Sequence, residues 1–274
     1  MTRALRIALA ASTSLVALQA QAPEPTGVPG EQFSLPGALE LFQKSESPES
    51  FEKALNAEGN KVNNLDLNGD GQVDYVRVVD RVQGNLHALV LQVAVSETET
   101  QDIAVIELEK TGENQVTAQI VGDEDIFGEQ TLVEPGDAED DEETAAKEAM
   151  PLRSFKVVVN VWPWPCVRFM YAPAYVAWAS PWRWRVYPVW WRPWRPLAWA
   201  VWHPFRLRPG FAVVRTHRVI GVHRFYAPGR AVSVTVRTRH AGAVGRYRVT
   251  RTTVVKGPRG GKVRVTTVRR GRRH

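Results

Sequence analysis

The sequence predicts an α+β fold for its first half. Two short amphipathic helix patterns precede four apolar runs of period two, and short turns join the runs. A second observation divides the chain. All 29 acidic residues lie at or before Glu148; residues 1–150 carry 9 Lys and Arg and net −20, whereas 151–274 carry 26 and net +26. Such segregation describes two physically different segments, the second of which seeks anionic partners.

The first element is a leader. Arg3 and Arg6 precede an apolar stretch from Ile7 to Leu18, and Ala20-Gln21-Ala22 supplies small residues at a cleavage spacing. Residues 1–22 therefore read as a secretory signal, too short in uncharged length to span a bilayer. A Pro/Gly-rich approach, 23–36, leads to the first helix pattern, Ala38, Leu39, Leu41 and Phe42. Ser47-Pro48 then matches an N-cap followed by proline at the first helical position, with Phe51, Ala54 and Leu55 on the buried side. Beyond Gly59 the period becomes two, and strands are expected over 73–82, 87–95, 102–110 and 116–122 as an antiparallel meander. Leu89, Leu91, Val93 and Val95 share one face of the second strand; Ala88, Val90 and Ala94 make the other apolar too. The domain is set at 23–134. Asp123-Glu124-Asp125 reads as a strand-end turn or short-helix cap.

Residues 66–74, DLNGDGQVD, are the sharpest motif. Asp66, Asn68, Asp70, the Gln72 carbonyl and Asp74 occupy positions 1, 3, 5, 7 and 9 of a calcium-type loop, and Gly71 permits the turn at position 6. Arg77 stands where an EF-hand has a bidentate Glu, so the loop is not an EF-hand. Three aspartates within nine residues repel one another without a cation, which favours a structural Ca2+ over a turn that binds nothing.

Residues 135–149 form an acidic linker with too little apolar surface to bury. All ten tryptophans then fall between Trp162 and Trp202, interleaved with Pro and Arg, so 150–209 is expected to hold only short extended or turn segments. Arg183, Arg185, Arg192 and Arg195 exclude a membrane span there and are the anion-binding candidates, since guanidinium beside indole offers charge and a flat π surface together. Residues 210–274 read as a basic β-meander, with strands at 232–239, 246–255 and 262–269, or as a tail; Arg269–His274 reads as a solvated end. The single cysteine, Cys166, is expected to be buried and inert. His217 and His223 can share one face, but Arg215, Arg218 and Arg224 surround them and their half holds no carboxylate, so they read as polar or packing residues. For the same reason no catalytic constellation can be assembled, and an enzyme is not expected.

The runs DLNGDGQVDYVRVVDRV, HALVLQVAVSETETQDIAVIELEKTGE, IVGDEDIFGEQ and VNVWPWPCVRFMYAPAY together resemble a family of uncharacterised exported bacterial proteins. That family joins an acidic D-x-N-x-D-G-x-x-D loop domain to a Trp/Pro/Arg-rich basic half, and the resemblance implies export and architecture. The resulting expectation is a non-enzymatic, exported, calcium-stabilised envelope or surface protein that attaches to anionic polymer or lipid head groups. Alternatives are a structural protein assembled by pairing of acidic and basic halves, within or between copies, and an extracellular nucleic-acid binder.

Overall fold

The computed structural model describes residues 24–136, 158–214, 217–251, 254–256 and 262–264. The leader 1–22, most of the 135–149 linker and the end Arg269–His274 lie outside them. The fold is α+β, built on a six-stranded antiparallel sheet in simple sequential order.

Local signals set the first elements. The Ser34 hydroxyl accepts the Gly37 N–H at 3.0 Å to open α1 (Leu35–Lys44). Ser47 and Ser50 form a reciprocal capping box at α2 (Pro48–Leu55), with Pro48 at the first helical position as expected. The meander follows as β1 (Val76–Gln83), β2 (Leu86–Ala94), β3 (Thr100–Gly112) and β4 (Gln115–Gly122). Asp123 caps a single turn, α3 (Glu124–Phe127), by accepting the Asp125 N–H at 2.9 Å.

Two further strands complete the sheet. β5 (Thr131–Pro135) pairs with β4, and β6 (Phe211–Val214), from the basic half, pairs with β5. At the opposite edge, Asp80 and Ser180 donate backbone N–H groups to Trp178 and Val78 carbonyls, so residues 178–180 run along β1. The basic half thus forms one sheet edge, β6, and covers part of the other along β1.

Both faces are covered as well. On the first, Val76, Val78, Leu89, Leu91, Ile106 and Ile120 pack against Leu39 and Phe42 of α1 and Phe51 and Leu55 of α2. Val161, Trp164, and Cys166 and Met170 of α4 (Pro165–Met170) join that core. On the second face, Ala88, Val90, Val105, Val121, Leu132 and Val214 meet Val219 and, on α6 (Ile220–Tyr226), Val222 and Tyr226. The two apolar faces anticipated for β2 therefore find different covers, one made by α1 and α2 with α4 and the other by α6. Trp202, on the short helix α5 (Trp199–Trp202), is fully buried and donates its indole N–H to the Glu31 carbonyl at 2.7 Å.

Two expectations are corrected. The 150–209 segment holds the short helices α4 and α5 beside its extended and turn stretches, because proline is tolerated in a first helical turn, as at Pro165. Residues 232–239 and most of 246–255 are not strands: α7 (Val234–Arg251) is a helix, followed by the short hairpin β7 (Val254–Lys256) and β8 (Lys262–Arg264). The reason lies far away in sequence. Glu99, in the turn before β3, accepts from the Thr235 N–H at 3.0 Å and from the Ser233 hydroxyl, while Ser233 Oγ accepts the Val236 N–H at 3.1 Å. A carboxylate and a hydroxyl satisfy the first-turn amides of a helix, and that capping outweighs the β preference of Val and Thr. Among the described residues no helix is long and apolar enough to cross a membrane.

Opposite charges meet across the fold. Arg208 pairs with Glu40, Arg218 with Glu134, and Arg230 with Asp123, Glu124 and Asp125. Arg237 reaches Asp125 as well, at 3.0 Å. Intramolecular acidic/basic pairing is a feature of this structure.

Candidate functional site

The acidic loop precedes β1 and is wound on its own aspartates. Asp66 Oδ1 accepts the Gly69 and Asp70 N–H groups at 2.7 and 3.1 Å, and Oδ2 accepts that of Gly71 at 2.9 Å. Asn68 Oδ1 takes the Asp70 N–H and Asp70 Oδ1 takes that of Gln72. Asp74 is buried; it accepts from the Leu67 N–H at 2.6 Å and from the Asn68 amide at 3.0 Å. Gly69 and Gly71 both hold positive φ, 74° and 81°, where a side chain would be strained. Burial, with the charges of Asp66 and Asp70 adding to it, pushes the Asp74 carboxyl up to about 7.

The five predicted loop residues lie in one tight turn, with their carboxylates engaged by backbone N–H groups; Asp66, Asp70 and Asp74 do not bring three ligand atoms within 4.8 Å of one another. The basic half closes over this turn. The Arg239 guanidinium of α7 lies directly against Gly69, so close that a Cβ there would collide with it. Trp194 accepts the Val73 N–H through its carbonyl at 2.8 Å.

Arg183, Arg185, Arg192 and Arg195 sit in the neighbouring tryptophan segment, and all four are exposed. Backbone bonds between Arg183 and Val186 close a tight turn, with Arg185 at φ 56° and its guanidinium 5.3 Å from the Trp184 ring centre. Tyr75 anchors this region through ring contacts with Tyr187, Trp190 and Trp191. Among the described residues none of the four arginines has a carboxylate within 4.0 Å, in contrast to Arg208, Arg218, Arg230 and Arg237. Exposed Val186, Val189 and Trp190 stand in the same stretch.

Polar groups are also buried between the halves. On the first face Asp80, His87 and Tyr175 form a chain, with Asp80 Oδ2 2.8 Å from His87 Nδ1 and from the Tyr175 hydroxyl. Cys166 is buried in that core, and desolvation followed by the Asp80 charge raises its thiol far above the usual value. Its burial is as the sequence implied. On the second face, β3 presents Glu107 between Ala88 of β2 and Gln119 of β4. Gln119 in turn bonds Glu134, so a polar row crosses an otherwise apolar face. His217 and His223 come down on Glu107 from above. The sequence held one signal for this row: Glu107 breaks an apolar strand between Ile106 and Leu108.

No known protein family, characterised protein or solved structure matches this chain.

Proposed function

We propose that the protein is a non-enzymatic, exported cell-envelope or surface protein that attaches to an anionic envelope component through Arg183, Arg185, Arg192 and Arg195 and the tryptophans among them. One observation carries the reading: acidic-half carboxylates take up several basic-half arginines, whereas these four stay exposed without an acidic partner. Folding makes no ionic use of their charge. Guanidinium next to indole and exposed valine suits a surface that is anionic outside and apolar beneath, such as phosphorylated lipid head groups. Assembly through acidic/basic pairing between copies is the weaker alternative, because such pairing is already made within one chain.

Each basic side chain near an anionic bilayer contributes about 1 kcal/mol. Changing all four arginines to Gln in the full chain is expected to lower affinity for phosphatidylglycerol vesicles at least ~100-fold and to flatten its salt dependence. Phosphatidylcholine vesicles should bind neither form. Equal binding of both forms to phosphatidylglycerol, or a preference for double-stranded DNA over vesicles, would reject the reading.

The loop of Asp66, Asn68, Asp70, Gln72 and Asp74 is proposed to hold a structural Ca2+ that steadies the turn into β1. Exported modules need only weak sites, with Kd on the order of 10⁻⁴–10⁻³ M. Calcium is expected to raise Tm in the wild type and not in Asp70→Ala. Arg239→Gln, which withdraws a fixed positive charge from the turn, should tighten calcium binding.

A further inference from the structure

We propose that Glu107, His217 and His223 form a three-ligand site for a divalent transition-metal cation of the zinc type, placed at the seam between the acidic and basic halves. Glu107 is fully buried, and its two oxygens address one histidine each: Oε2 lies 2.5 Å from His217 Nε2, and Oε1 lies 3.4 Å from His223 Nδ1. The second approach is no hydrogen bond. Glu107 Oε1 and His223 Nδ1 are both buried without a hydrogen-bond partner, although they face each other. Two orphaned buried polar atoms are costly, and a cation between them satisfies both.

The geometry suits a metal of this class. The three ligand atoms lie within 4.8 Å of one another. Tetrahedral zinc, with bonds of about 2.1 Å, separates its ligand atoms by about 3.4 Å, so the 2.5 Å contact of His217 with Glu107 would open by about 1 Å on insertion. Two imidazoles and one carboxylate favour zinc, cobalt, nickel or copper over calcium or magnesium. Of the arginines that argued against a metal in the sequence, Arg215 lies outside the described residues. Arg218 is bound to Glu134 at 2.9 Å, and Arg224 is exposed. The carboxylate that the basic half lacks comes from β3, 110 residues away from His217. His223 also lines a cavity of about 160 Å³, bounded by Asp123, Tyr226 and Arg230, which gives a water room to complete the coordination.

Bound metal would staple the halves: Glu107 belongs to the sheet, and both histidines belong to the cover of its second face. The test uses the full chain, stripped with chelator and titrated with Zn2+ by calorimetry and with Co2+ by visible absorption. One ion per chain is expected, with d–d bands of a four- or five-coordinate N/O site and a raised Tm. His223 is partly exposed, so His223→Ala should fold; it should weaken zinc binding by more than the ~10–100-fold typical of outer-shell changes. His203→Ala should leave affinity unchanged. Absence of stoichiometric uptake, or uptake that survives both His217→Ala and His223→Ala, would overturn the site and leave a metal-free Glu–His contact in its place. Vesicle binding through the arginine surface is a separate readout that neither result alters.

Discussion

Glu52 bonds groups of both halves, and its chemistry gives a sharp prediction. Its Oε1 accepts from the Tyr75 and Ser180 hydroxyls at 2.9 and 2.8 Å; Oε2 accepts from the Val78 N–H at 2.8 Å and the Trp178 indole at 3.3 Å. The bonds to Tyr75 and Val78 are buried, and those to Ser180 and Trp178 are partly so. Glu52→Ala strands two dry donors at about 1–3 kcal/mol each, while water can reach the other two, so a loss of about 3 kcal/mol is expected. For a fold of this size that is roughly 6–12 °C in Tm. Glu52→Gln is the discriminating variant. Its carbonyl can take the Oε2 place, facing the two groups that can only donate, while its NH2 faces two hydroxyls able to reverse and accept. Its cost at pH 7 should stay below about 1 kcal/mol. Desolvation, opposed by the four hydrogen bonds, leaves the Glu52 pKa raised above 4.5, so the folded state favours the protonated form. Wild-type stability from this group therefore falls as pH rises from 4.5 through the raised value, a slope that Gln abolishes. Urea unfolding followed by tryptophan fluorescence measures all three proteins. Equal losses for Ala and Gln, or an Ala loss below about 1 kcal/mol, would refute the reasoning.

In chelator, the Asp74 carboxyl should hold its proton to about pH 7, against an ordinary 3.8. The folded state then binds the extra proton between these values, so stability declines as pH rises through that window; urea midpoints at pH 5 and pH 8 should show this, and Asp74→Asn should remove it. At the start of α7, Ser233→Ala should cost about 1 kcal/mol, read as a lower urea midpoint. Bonds from Ser233 and Thr235 hold the Glu99 pKa below 4.5, so its contribution is present above 4.5 and lost as pH falls through the lower folded value. Helical circular dichroism should decline over that acid range in the wild type and hold steady in Glu99→Gln.

The elements legible in the sequence are those whose causes are local. Ser34, Ser47 and Pro48 announce α1 and α2 within a turn of their starts, and valine–leucine alternation announces β1 to β4. The acidic loop is equally local, since its donors lie within nine residues. β5 is short and ends in Pro135, and β6 becomes a strand only because β5 offers it an edge. α7 carries a strand pattern, and the Glu99 carboxylate that caps it lies 136 residues from Thr235. The Glu107 cluster escaped for the same reason: each half holds only part of the ligand set.

Segregated charge along a chain says nothing by itself about separation in space, and here the two are opposed. The basic half forms β6, runs along the β1 edge, supplies α6 to the second face and places α4 in the first core. Each role is apolar or backbone in nature and would need no arginine. The ion pairs of Arg208, Arg218 and Arg230 lie around those contacts, where partly exposed pairs contribute modestly. Their greater effect is on orientation, because a basic cover placed in a wrong register on the sheet would leave Asp123 and Glu134 buried without a counter-charge. Hydrophobic burial thus holds the halves together, and charge selects the arrangement in which they meet. Arg183, Arg185, Arg192 and Arg195, exposed in the turn around Trp184 and along the tryptophan segment after it, take no part in that pairing.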